Sequence, residues 1–261
     1  MQATGVIDAL PLLGFYAITA AIVLLSSEVG WRLGDYKRRR PQHEREAPVG
    51  AVVGAMLGLL AFLLAFTFGM AASRYDTRKQ LVLQEANAIG TAYLRAEMLP
   101  EPERSEIRNL LREYAALRMK GVTSLMTPEV MAQSGALHDR LWAQAVAVAE
   151  KDVDPQLRAL FVQSINEVID LDETRLTAGR NRIPDIIWLS LYSVTILTMA
   201  ALGYEFGLKA ERSWPVTLLL TLALMAVLGL IADLDRPQAG FLRASQQALI
   251  DLVDKIGAPR P

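Results

Sequence analysis

Hydrophobic and polar positions along the chain fall into long blocks. Four stretches carry almost no charge: Leu10–Ser27, Val49–Ala72, Ile186–Gly203 and Pro215–Ala232. Each runs for about 18 to 24 residues, the length at which an apolar helix crosses a bilayer. A polar segment, Ser73 to Ile183, separates the second stretch from the third. Inside it apolar residues recur at three and four, as Val82, Ala86, Ile89 and Tyr93, then Ile107, Leu110, Leu111, Tyr114 and Leu117. That spacing predicts amphipathic helices. Pro100 and Pro102 divide the first helix from the second, and Gly121 ends the second. Thr127-Pro128 and Asp154-Pro155 each place a capping side chain before a proline at the first helical position, so about four helices fill the segment. Pro184 marks the boundary before the third span. The pattern predicts an all-α integral membrane protein with four transmembrane helices and an inserted helical-bundle domain. Its parts are a first transmembrane hairpin (1–72), an extramembrane helical domain (73–183), a second hairpin (184–233) and a C-terminal tail (234–261).

One junction differs from the others. No proline, and no glycine between Gly69 and Gly90, separates the second span from the helix after it. The sequence can run as one helix from Val49 to Met98, about 75 Å at ~1.5 Å per residue. Such a helix would couple events in the membrane to events outside it. Ahead of the first span, the segment MQATGVIDALP has no Lys or Arg and carries Asp8, so that span is expected to be retained rather than cleaved as a signal peptide.

Charge then orients the spans. The loop WRLGDYKRRRPQHERE holds Arg32, Lys37, Arg38, Arg39, Arg40 and Arg45, whereas the second short loop has only Lys209 and Arg212. Positive-inside reasoning places the first loop in the cytoplasm, with both termini and the helical domain outside. The KRRR run reads as a topology anchor, with a lipid-headgroup or nucleic-acid site as the sharper alternative. Trp31 and Trp214 flank the loop side of the membrane and Trp188 the other, as interfacial tryptophans do. Glu28 and Glu205 stand level with the basic loop and are expected to pair with its arginines.

Composition narrows the chemistry. Hydrophobic residues make up 52% of the 261 residues and charged ones 21%, which argues against an ordinary soluble domain and against disorder. The net charge of −1 gives no attraction to nucleic acid. With no cysteine there is no thiol or disulfide chemistry. His43 and His138 make no metal-ligand pair at helical spacing. No phosphate loop, HExxH or GxSxG is present, so neither an enzyme nor a cofactor is expected. Asp170, Asp172 and Glu173 in IDLDETR read as a solvated helix face.

Two patterns on the second span remain. Gly50, Gly54 and Gly58 repeat every four residues, and Ala61, Ala65, Gly69 and Ser73 extend the ridge. Small ridges let helices approach closely in lipid, within a subunit or between subunits. Phe62, Phe66 and Met70 also repeat every four. Such a stripe is packing or lipid contact, or an apolar constriction if it faces the axis of an oligomer. The second and fourth spans run in the same direction, so Arg74, Asp76 and Arg78 should lie level with Asp233, Asp235 and Arg236. These charges either pin helices together or form a ring at a pore mouth.

FLLAFTFGMAASRYDTR resembles the second span of bestrophins, which places two Phe four apart and an Arg-aromatic pair eight residues after the second. Here these are Phe62, Phe66, Arg74 and Tyr75, followed by Asp76 and Arg78. Two spans, a large helical segment and two more spans is also the bestrophin order. The chain is similar over most of its length to bacterial bestrophin-like membrane proteins, notably in QEANAIGTAYLRAEMLP, SINEVIDLDETRLTAGRNRIPDIIW and LDRPQAGFLRASQQALIDL. Bestrophins are pentameric ion channels whose second span lines an apolar neck. The resemblance therefore implies an inner-membrane homo-oligomer passing inorganic ions, with Phe62, Phe66 and Met70 at the neck. It also implies a cytoplasmic helical domain, the reverse of what the loop charge implies. The double Trp of bestrophins is replaced by Tyr75-Asp76, and no acidic calcium clasp follows the fourth span. The other functional class open to this sequence is a non-conducting membrane sensor or scaffold, signalling through its helical domain.

Overall fold

The structure, a computed structural model, describes residues 11–40, 48–119, 127–151, 153–236, 242 and 244–257. Every element among them is an α-helix. In chain order these are α1 (Leu12–Arg38), α2 (Val49–Ala96), α3 (Glu103–Met119), α4 (Pro128–Ala149), α5 (Pro155–Arg180), α6 (Asp185–Leu208), α7 (Trp214–Asp235) and α8 (Gln247–Gly257). Among the described residues, four helices are long and apolar enough to cross a membrane. The chain forms two compact units, one from residues 1–73 with 182–242 and one from 74–181 with 243–261. Gly121 and His43 lie outside the described residues.

The first unit contains α1, α6, α7 and the first half of α2. Its tightest seam is between α1 and α6. Gly30 and Gly34 on α1 face Gly203 and Gly207 on α6, and each helix carries its glycines four apart. A methyl group at Gly30 would strike the Ala200 carbonyl, and one at Gly203 the Ser27 carbonyl. At Gly34 and Gly207 it would meet the backbone at Tyr204 and Trp31. These glycines let two backbones approach to a distance no other residue permits. Toward the start of α1, Phe15 packs edge-on against Trp188 and Tyr192, at ring separations of 6.0 and 6.4 Å. Trp188 is thus buried inside the unit rather than presented as an interfacial belt residue.

The helix α1 continues well past Ser27, taking in Arg32, Lys37 and Arg38, which the sequence pattern assigns to a loop. Asp35 explains part of the extension. Its carboxylate accepts from Arg38 at 2.5 Å and pairs with Arg39 at 2.7 Å, both one turn on. Only Gly34 interrupts helix propensity there, and it is held against α6.

In the second unit the latter half of α2 packs with α3, α4, α5 and α8. The core is formed by Val82, Ile89 and Tyr93, Leu110 and Leu111, Leu141 and Val148, Phe161 and Ile165, and Leu249 and Leu252. The caps predicted for α4 and α5 form. Thr127 Oγ1 accepts from Val130 N, and Asp154 Oδ1 accepts from Gln156 N and Leu157 N. The C-terminal tail contains α8, whose Leu249, Leu252 and Ile256 close one side of this core. Its last turn is held by side chains: Arg112 Nε donates to the Ile256 carbonyl at 2.9 Å.

Candidate functional site

Along its first half α2 has two unlike faces. Val53, Leu60, Leu64, Thr67 and Ala71 form the buried stripe. The Thr67 hydroxyl is satisfied within the helix by donating to the Leu63 carbonyl at 2.7 Å. Phe62 stands two residues from both Leu60 and Leu64, about 200° around the helix from each. It points away from the unit and is 66% exposed, and Phe66 one turn on is 60% exposed. Met70 is half-buried at the edge of this face. Val52, Leu59 and Phe68 are exposed as well, at 54%, 51% and 38%, and the remaining outward positions are small. Ala51, Gly54, Ala55, Gly58, Ala61, Ala65 and Gly69 are all exposed, and a Cβ added at Gly54, Gly58 or Gly69 would touch nothing among the described residues. Gly50 is the exception in the ridge, lying against the Glu205 carboxylate.

The other spans differ in what they turn outward. Leu13, Ile18, Leu25, Val29 and Leu33 are exposed on α1. On α6 these are Ile186, Leu189 and Leu197, and on α7 Leu218, Leu219 and Leu222. Large aliphatic faces suit lipid chains, whereas a face of glycine and alanine suits another helix.

The charged residues flanking these spans separate by burial. Asp233, Asp235 and Arg236 are buried at the end of α7. Asp233 Oδ2 accepts from the Leu242 amide at 2.9 Å. Asp235 receives the Ile183 amide and Arg182 Nε, both at 3.0 Å, and so fastens the entry to α6. On α2, Arg78 is buried, Arg74 and Tyr75 are half-buried, and Asp76 is exposed. At the opposite end of the first unit Glu28 pairs with Arg32 at 2.8 Å and with Arg212 at 2.9 Å, while Glu205 pairs with Lys209 at 2.6 Å. Glu28 thus takes one arginine of the basic loop, as expected, and Glu205 takes a lysine of the second loop instead.

A buried ion cluster in the second unit falls outside the sequence-based candidates. Glu85 on α2 is 0% exposed and accepts from Arg118 Nε at 2.5 Å, from Tyr114 Oη at 3.3 Å and from Arg175. Arg118 reaches Asp172 at 2.5 Å, and His138 Nε2 lies 3.8 Å from the same carboxylate. Asp172 is therefore interior, contrary to the solvated reading of IDLDETR, while Asp170 and Glu173 are exposed as that reading requires. Burial pushes the Tyr114 hydroxyl and the Asp172 carboxyl above their ordinary ranges and His138 below its own. A sequence signal exists for the cluster. Glu85 shares the apolar stripe of Val82, Ala86 and Ile89, Arg118 that of Leu111 and Tyr114, and Asp172 and Arg175 that of Phe161, Ile165 and Val168. Charges at core positions of an amphipathic pattern point to partners inside the bundle.

The model of the bestrophin-like domain matches residues 20–249. The chain belongs to the bestrophin-like family. A crystal structure of a bacterial bestrophin homolog from Klebsiella pneumoniae, carrying one point mutation, aligns with a TM-score of 0.65 at 14% identity, covering 89% of this chain and 98% of that one. The comparison with curated proteins finds no match. This bestrophin-like chain is accordingly an all-helical, multi-pass membrane protein with the bestrophin fold, and its family is not one of enzymes.

Proposed function

We propose that this bestrophin-like protein is an oligomeric ion channel in which α2 helices from several subunits, five by family resemblance, surround an apolar neck at Phe62 and Phe66. The observation that carries the reading is the outward face of α2. It sets exposed Phe62 and Phe66 one turn apart beside seven exposed glycines and alanines, with Val52, Leu59 and Phe68 also exposed, while α1, α6 and α7 turn large aliphatic residues outward. Small residues admit a neighbouring α2, and the two phenyl rings then narrow the space the ring encloses. A constriction of that kind gates by dewetting, since a narrow apolar passage holds water poorly. Met70 forms the softer next step. Asp76, with the half-buried Arg74 and Tyr75, sets the charge at the mouth where α2 leaves the span, while Asp233 and Asp235 hold structure at the end of α7 through the Leu242 and Ile183 amides. An inner-membrane location and inorganic ions as the permeant species follow from the same reading.

The test is ion flux. Purified protein is reconstituted into liposomes and compared with the Phe62→Ala/Phe66→Ala double variant. Widening the neck should raise flux and weaken discrimination among ions by about tenfold, the equivalent of ~1.4 kcal/mol at the barrier. Unchanged conductance and selectivity would remove these residues from the permeation path. No flux from either protein, with an intact oligomer, would favour the sensor or scaffold class.

A further inference from the structure

At the end of the first unit that carries Glu28 and Glu205, α1, α6 and α7 leave a crevice of about 260 Å³. Its floor is apolar, with Leu24, Leu25 and Phe206, and its rim is cationic and aromatic, with Arg32, Arg212 and Trp214. The Arg212 guanidinium is stacked between two indoles, 4.7 Å from the Trp31 ring and 4.7 Å from the Trp214 ring. One of its five donors goes to Glu28, and no other acceptor among the described residues takes the rest. Arg32 likewise gives its Nε to Glu28. Two arginines against one carboxylate leave one positive charge at the rim. The N-terminus of α7 opens beside it, and Ser213 supplies no side-chain cap to its amides. The three arginines of the nearby KRRR run are already engaged. Arg38 and Arg39 are bound to Asp35, and Arg40 lies over the Tyr36 ring.

We propose that this crevice is a binding site for an anionic phospholipid, with the phosphate on Arg212 and Arg32 and the upper acyl chain along Leu24, Leu25 and Phe206. Charge and depth point to the same ligand. Leu24 and Leu25 lie about one turn into the span from Glu28, where the hydrocarbon region begins, while Phe206, one residue before Gly207 on α6, lies with the rim at headgroup level, where aromatic rings and arginine are stable. Stacking between two rings fixes the plane of the Arg212 fork, and a fixed guanidinium offers a phosphate two parallel hydrogen bonds. A soluble anion would use the rim alone. A neutral lipid would use the floor alone.

The experiment is intact-complex mass spectrometry of the detergent-purified full chain, titrated with phosphatidylglycerol or phosphatidylcholine of matched acyl chains. Phosphatidylglycerol adducts should exceed phosphatidylcholine adducts by about tenfold, the value of one charge-assisted hydrogen bond. Arg212→Gln should remove that preference. Leu24→Trp, which fills the floor and leaves the rim charges in place, should lower adducts of both lipids, and an unchanged oligomer mass in the same spectra shows that each variant is folded. Equal retention of the two lipids by the unsubstituted protein would overturn the proposal, as would full retention by folded Arg212→Gln. Full retention of phosphatidylglycerol by Leu24→Trp, with its displacement by millimolar inorganic phosphate, would assign the rim to a free anion and equally overturn it.

Discussion

Glu85 is the residue on which the second unit's interior depends most. Two arginines and a tyrosine converge on its carboxylate at 0% exposure, and a second carboxylate, Asp172, completes the balance of charge. Glu85→Ala leaves two buried guanidinium groups with a single remaining anion, and such a broken pair costs about 3–5 kcal/mol. A denaturant titration of the full chain in detergent, read on helicity, should show that loss. Replacing Glu85 by Gln keeps the shape and one acceptor, and should cost less. His138 makes the same interior sensitive to acid. It lies tilted against the Tyr114 ring at a ring separation of 5.0 Å and faces Arg118 from α3, Asp172 from α5 and Glu85 from α2, with Asp139 on its own helix. Burial holds its native pKa below 6.5. As pH falls through 6.5 the unfolded chain therefore takes up the proton first, and stability declines until the lower native pKa is passed. Asp172 works in the opposite sense at lower pH. Its raised native pKa lets the folded state take up a proton before the unfolded chain does so near 3.8, which restores part of the loss. His138→Gln should flatten the decline on the neutral side. Melting curves on either side of pH 6.5 that shift equally in the two proteins would show that another group carries the dependence.

Among the helices, the element-scale contrast is between two sets of glycines. Gly30, Gly34, Gly203 and Gly207 interlock α1 with α6, and added methyl groups there would run into backbone that cannot yield. Gly54 and Gly58 on α2 face open space among the described residues. Gly203→Ala should therefore destabilise the subunit itself by about 1–3 kcal/mol, the usual range for overpacking. Gly54→Leu should leave subunit stability within about 0.5 kcal/mol, as a surface change does, and should lower the yield of assembled oligomer instead. Thermal melting and intact-complex mass, run on both variants, separate the two effects. The sequence marks the α2 ridge plainly, because its small residues recur over six turns. It hides the α1–α6 seam, because each helix brings only two glycines to it and those on α1 sit beside the basic residues that read as loop. Helix starts at Thr127 and Asp154 are legible because a cap needs only local contacts. The helix α8 is not legible in the same way. Leu249, Leu252 and Ile256 have helical spacing, but only the bundle they close makes them core. Asp172 fails for a related reason, since its burial depends on Arg118, 54 positions away in sequence.

At the scale of the whole molecule, one chain leaves its most unusual surface without a partner. A span that met lipid on its outward side would gain little from so many exposed glycines and alanines, from Ala51 to Gly69, interspersed with Val52, Leu59, Phe62, Phe66 and Phe68. Repetition of the chain around an axis gives that face a use, with the small residues against the neighbouring α2 and the phenyl rings toward the centre. The residues of the proposed neck stand out in the sequence, while the charges around them do not. The Phe-to-Phe and Phe-to-Arg spacings lie on one continuous helix, α2, whereas Asp233 and Asp235 take their meaning from contacts with Leu242 and Ile183 that no spacing reveals. Absence of cysteine from the chain allows a clean geometric test. Phe66→Cys introduces the only thiol, on the outward face of a helix, so oxidative cross-linking in native membranes reports whether copies of that position meet. Around a closed axis adjacent sulfurs come within disulfide reach at Cα separations of about 4.4–6.8 Å as the ring breathes. A single thiol per chain links subunits only in pairs, so the expected product is a covalent dimer inside a larger complex whose intact mass gives the subunit number. Cys introduced at Leu219, on the aliphatic outward face of α7, is the control and should stay uncrosslinked. Dimers from position 66 but not from 219, in a complex of five, would place Phe66 beside the axis. Cross-linking at 219 alone would put α7 at the subunit contact and α2 against lipid, and the central neck would have to be abandoned.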